Sequence, residues 1–121
     1  MSSSDYSKIT VETENRKFDV KIEKYENGFF ISITEGVNKL GAMMISVGTS
    51  PSPSTSTIIP ARTDALFLKL ISQKLASYVK GICIVSLFTQ KELGANAGKV
   101  LIAKITEVIR ELLTSVLLSR K

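Results

Sequence analysis

Histidine is absent from the chain, and with it the commonest general acid–base and the commonest metal ligand. No Ser-His-Asp or Cys-His arrangement can be assembled without it. Cysteine occurs once, at Cys83. A single thiol cannot close an internal disulfide, and one thiol with no histidine excludes the usual zinc sites. The lone cysteine and the lack of any Asn-x-Ser/Thr acceptor fit a reducing compartment. A cytoplasmic protein is therefore expected, with the nucleus also open to it. The opening Met-Ser-Ser-Ser-Asp lacks the basic and apolar regions of a secretory signal. No apolar run approaches the ~18 residues that a membrane span needs, so no membrane role is expected. Long basic runs are missing too. The net charge of +5 is spread from Lys8 to Lys121. Clustering, not net charge, marks a nucleic-acid site, so a solvated basic surface or an acidic protein partner is the better reading.

What is present suits one globular domain. A chain of 121 residues is too short for two good cores. A hydrophobic share of 44% against 22% charged residues argues against disorder of the whole chain. Residues 1–7 are small and polar and are expected to fray, leaving a domain over 8–121.

Period-2 alternation predicts strands. Ile9 and Val11 alternate with polar neighbours, as do Phe18, Val20 and Ile22. Asn27-Gly28 signals a hairpin, and residues 29–34 return from it. A fourth strand spans 40–47, with Met43, Ile45 and Val47 on one face and Ala42, Met44 and Ser46 on the other. Residues 48–56 hold two prolines and no apolar side chain, which reads as a mobile loop. A short fifth strand at 57–60 follows. Thr63 is a plausible N-cap for a helix carrying Leu66, Phe67, Leu70, Ile71, Leu75, Tyr78 and Val79, stopped by Gly81. Residues 82–88 are apolar on both faces and read as a central strand covered on both sides. Asn96 can cap a last helix that buries Leu101, Ile105, Val108, Leu112 and Val116. Ile84 and Leu112 are expected in the core.

The fold class expected is α+β: a mostly antiparallel sheet of about six strands with two helices, in the order βββββαβα. Two helices cover one sheet face only. The second face also carries apolar residues, at Phe30, Met44, Ile82 and Ile84. These are the candidate dimer interface, because an uncovered apolar patch marks an interaction site.

Other constellations carry little chemistry. Cys83, inside an apolar strand, reads as an inert core thiol. Glu12 and Glu14 read as solvated charges. Gly94, Gly98 and Lys99 imitate a phosphate-binding loop, but only three residues separate the glycines and Val100 replaces the magnesium-binding hydroxyl. No catalytic residue, cofactor or metal is expected.

The order of elements resembles the proteasome assembly chaperone 3 family. The likeness is carried by residues 29–34, by 39–47 with the polar loop behind them, by Ile58 and Ile59 leading into 64–66, by 82–87, and by the helix ending at 106–112. The resemblance implies a non-enzymatic chaperone of 20S proteasome assembly. Such a protein pairs with a chaperone 4 type relative or with itself, forms a β-sandwich from two sheets, and holds α-subunits, notably the α5 subunit, while the α-ring forms. It also implies that the 48–56 loop lies near the partner surface, which makes Thr49, Ser50, Pro51, Ser52, Pro53 and Ser54 candidate partner-binding residues. The alternative is a scaffold dimer of the roadblock or longin kind in a trafficking or signalling complex. A roadblock-like chain usually begins with a helix, and this one begins with strands.

Overall fold

The computed structural model describes residues 5–49 and 51–119, with side chains described as far as Thr114. Five strands are followed by a helix, a strand and a helix, as expected. They are β1 (Tyr6–Thr13), β2 (Arg16–Tyr25), β3 (Gly28–Thr34), β4 (Ala42–Val47), β5 (Ser54–Ile59), α1 (Ala65–Val79), β6 (Ile82–Phe88) and α2 (Ala95–Ser119). All six strands join one sheet in the order β1-β2-β3-β6-β4-β5. Every pairing is antiparallel except β3 with β6.

Both helices lie on one face. α1 packs across β4 and β6, and α2 packs against β1. The core fills the space between. It takes Phe18, Val20 and Ile22 from β2, Phe29, Ile31 and Ile33 from β3, and Cys83, Val85 and Leu87 from β6. The helices supply Leu68, Ile71 and Leu75, and Ala97, Leu101, Ile105 and Ile109. The last four recur every four residues, which keeps one stripe of α2 on the sheet. Leu112 is half-buried against this core, and Val116 lies beyond the described side chains.

Several local expectations are corrected. Of the residues expected to fray, Tyr6 and Ser7 stand in β1 opposite Glu23 and Ile22, and residues 1–4 lie outside the described residues. The two-residue turn with both central residues left-handed falls at Glu14 and Asn15, without glycine (φ 55° and 60°). That geometry matches the twist of the flanking strands. Gly28 instead opens β3, opposite Ile82, where a Cβ would collide with the Ile82 backbone carbonyl. Ser54, Thr55 and Ser56 leave the expected loop and pair with Val47, Ser46 and Ile45. Asp64, not Thr63, stands at the N-cap position of α1, with its carboxylate turned to Leu93 N–H and not to the helix, and Lys80, not Gly81, is the left-handed residue at the helix end. Asn96 does not cap α2: its amide reaches Glu14, and the first turn closes through Gly98 N–H donating to the Gly94 carbonyl at 3.1 Å.

Candidate functional site

β4 shows how the second face of the sheet arises. Its two alternating sets are Ala42, Met44 and Ser46 against Met43, Ile45 and Val47. Hydrophobicity alone would bury the second, larger set. The structure does the reverse. Met44 and Ser46 sit opposite Val85 and Cys83, on the helix side. Ser46 Oγ is within 2.8 Å of both Ser72 Oγ on α1 and Thr55 Oγ1 on β5, and Gln73 Nε2 donates to Thr55 at 2.7 Å. This buried hydroxyl chain satisfies the small polar residues inside. It turns Met43, Ile45 and Val47 toward the other face, where Ile45 and Val47 are half-buried and Met43 is covered by its neighbours.

The expected interface residues therefore divide. Phe30 pairs with Ile84, and Ile82 with Gly28, all on the open face. These three apolar side chains are half-buried by their neighbours, and no helix among the described residues covers them. Met44 is a correction: it is packed in the core with Val85, because the strand register turns it inward. Its place on the open face belongs to Met43, Ile45 and Val47, which align with Ser86, Ile84 and Ile82. Ile84 is correspondingly not a core residue of the single chain, and β6 is covered on one face, not two.

The apolar patch runs from β3 through β6 and β4 to Ile59 on β5. Four strands at ~4.8 Å spacing and seven residues of β6 give roughly 19 Å by 20 Å. That area approaches the largest apolar patches a typical monomer exposes. The other half of the face, on β1 and β2, is charged. Lys8 sits opposite Lys21, Thr10 opposite Asp19 and Glu12 opposite Lys17. Thr10 Oγ1 donates to Asp19 at 3.3 Å. At the far rim, Lys39 Nζ stands 4.6 Å above the Phe88 ring. The face is thus an apolar field with a charged margin, the anatomy of a protein-binding surface.

The candidate loop residues lie beside one end of the sheet. Thr49, Pro51 and Ser52 are exposed, Pro53 is half-buried, and Ser54 is paired in β5. Ser50 lies outside the described residues. Thr49 lines an open cleft of about 660 Å³ with Val47, Val79, Ile82 and the 24–29 turn.

A charged strap at the opposite end escaped the sequence reading. Arg16 is nearly buried, stacks 5.0 Å from the Phe18 ring, and pairs with Glu35 at 2.7 Å and 2.9 Å. Its remaining donors reach the carbonyls of Lys91, Glu92 and Leu93. Glu35 accepts from the Gln90 N–H, and Asp64 accepts from the Leu93 N–H. The Arg16 hydrogen bond, helped by the Gln90 N–H, holds the Glu35 carboxyl below the usual carboxylate range against the opposing effect of burial. The strap fixes residues 91–93, which lead into the Gly94–Lys99 segment that imitates a phosphate loop, and their carbonyl groups converge on the Arg16 cation. Only the Arg16–Glu35 spacing in the sheet could have announced it, and sequence order does not show that spacing.

Burial pushes the Cys83 thiol up to about 12, far from a reactive thiolate. Among the described residues no cluster of three or more metal-ligating side chains forms, and no helix is long and apolar enough to cross a membrane.

No family model matches the chain, and no curated protein sequence does. Solved structures do match. The chain is similar to one in the crystal structure of a chaperone complex for yeast 20S proteasome assembly, with a TM-score of 0.56. The match covers 93% of this chain and 95% of the other at 10% sequence identity. At that identity the likeness is one of fold, and it extends over nearly the whole of both chains.

Proposed function

We propose that this chain is a non-enzymatic chaperone of 20S proteasome assembly, which binds α-subunits during α-ring formation as a dimer formed through the open sheet face. The observation that carries the reading is the outward apolar set of β4, continued by Phe30, Ile82 and Ile84, on a fold shared end to end with a chain of a proteasome assembly chaperone complex. A second sheet stacked ~10 Å away would bury that patch and leave both pairs of helices outside. The partner sheet comes from a second copy or from a related chain of chaperone 4 type.

The polar segment around Thr49, Pro51, Ser52 and Pro53 projects from the sheet end, and we assign it contacts to the partner or to the α-subunit. Two prolines restrict it, so less entropy is lost on docking. No cofactor enters this role, and the protein acts in the cytoplasm and nucleus.

Affinity capture from extract of the source organism, followed by native mass spectrometry, tests the reading. Recovery of a second small chain with proteasome α-subunits, the α5 subunit among them, and without mature β-subunits is expected. Recovery of trafficking or signalling complexes alone would replace it with the scaffold alternative.

A further inference from the structure

Residues 48–59 carry no charged side chain, and they hold both Ser-Pro dipeptides of the chain, at 50–51 and 52–53. The structure clamps this stretch where it leaves β4 and where it enters β5. Gly48 N–H donates to the Gly81 carbonyl at 2.8 Å, and a Cβ on Gly48 would collide with the Ala76 carbonyl at the end of α1. Ser54 pairs with Val47 across the β4–β5 hairpin. Between those anchors the chain turns at the end of the sheet, where Thr49, Pro51 and Ser52 are exposed.

The hydroxyls of this region are not equivalent. Thr55 Oγ1 is tied to Ser46 and Gln73 in the buried hydroxyl chain. Ser54, Ser56 and Thr57 belong to β5 and stand opposite Val47, Ile45 and Met44. Ser52 is exposed, lies outside the strands, and is followed by proline. Proline has a fixed φ and no N–H. A kinase groove that offers no acceptor just beyond the serine strands an unpaired N–H when any other residue follows, and strands none when proline follows. Pro53 therefore selects one class of modifying enzyme.

We propose that Ser52 is the phosphate acceptor of a proline-directed protein kinase. In the step, the Ser52 hydroxyl oxygen attacks the γ-phosphorus of magnesium-bound ATP. A bond from that oxygen to phosphorus forms, and the bond from the γ-phosphorus to the β,γ-bridging oxygen breaks. ADP leaves, and the hydroxyl proton passes to the kinase's base. A segment that has no charge of its own then carries roughly −1.5 to −2 at pH 7. The site stands independently of the sheet-face contact, because Ser52 lies in the β4–β5 connection and not on the apolar patch.

Phosphate mapping tests this. The purified full chain carrying Ser50→Ala, which leaves one Ser-Pro, is incubated with magnesium-ATP and a kinase of the cyclin-dependent or mitogen-activated class, then fragmented in a mass spectrometer. One phosphate on Ser52 is expected, with none on Ser54, Thr55, Ser56 or Thr57. Pro53→Ala should slow incorporation at least about tenfold, and Ser52→Ala should abolish it, with both variants still unfolding cooperatively because neither side chain belongs to the core. A kinase that reads basic residues ahead of its serine should leave Ser52 unmodified, since residues 40–51 contain no lysine or arginine. Wild type captured from its source cells with phosphatases inhibited should carry phosphate at Ser52. Absence of phosphate from Ser52 in the treated chain or in the captured one, or incorporation indifferent to Pro53→Ala, would overturn the proposal.

Discussion

Arg16 ties together three separate segments of the chain. It joins the β1–β2 turn, the end of β3 and the segment leading into α2. Its removal leaves the half-buried Glu35 without its cation, though still accepting from the Gln90 N–H, which should cost about 1–3 kcal/mol. Arg16→Ala should lower the thermal midpoint by several degrees in circular dichroism, and an unchanged midpoint would show the strap to be ornamental. The pH dependence has a definite sign. A carboxyl whose folded pKa lies below its unfolded value contributes stability that is complete above about pH 4.3 and is lost as pH falls through the folded pKa. The stability gap between wild type and Glu35→Gln should thus be widest near neutrality and narrow below about pH 4. A gap that persists undiminished to pH 2 would contradict the assignment.

At the scale of elements, β4 and α1 divide what the sequence made legible from what it did not. Strand and helix identities followed from period 2 and period 3.6, and all eight elements appeared in order. The inward face of β4 did not follow. Both of its alternating sets are largely apolar, so hydrophobicity barely fixes the register, and the Ser46–Ser72–Thr55 hydrogen bonds decide it. α1 presents the same difficulty: its apolar residues surround more than one side, and only packing selects Leu68, Ile71 and Leu75. The hairpin at 25–28 was found through Asn27-Gly28, although Gly28 serves close strand approach and not the turn. A paired substitution tests β4. Met44→Glu puts a charge into the core and should abolish cooperative unfolding, while Ile45→Glu should spare it. Equal damage from both would reverse the faces. The polar segment invites a narrower change. Replacing residues 51–53 with Gly-Ser-Gly keeps β5 intact, so the fold should survive while partner affinity falls; unchanged affinity in titration calorimetry would make the segment a plain connector.

The whole molecule is a sheet covered on one side. That arrangement was legible from counting: six strands offer two faces, and two helices cover one. Three of the four residues picked for the open face, Phe30, Ile82 and Ile84, stand on it. The parallel β3–β6 pairing that places them side by side was not legible, because β6 arrives after α1 and its neighbours are chosen by long-range packing.

The most direct test of the sheet-face account compares wild type with Ile84→Glu in one experiment. Each is captured from extract and weighed by native mass spectrometry. Wild type should carry a second small chain and proteasome α-subunits, while Ile84→Glu, still folding cooperatively, should emerge alone near 13.2 kDa. A charged Ile84→Glu protein that retains its full set of partners would contradict the claim that this face is where the molecule acts.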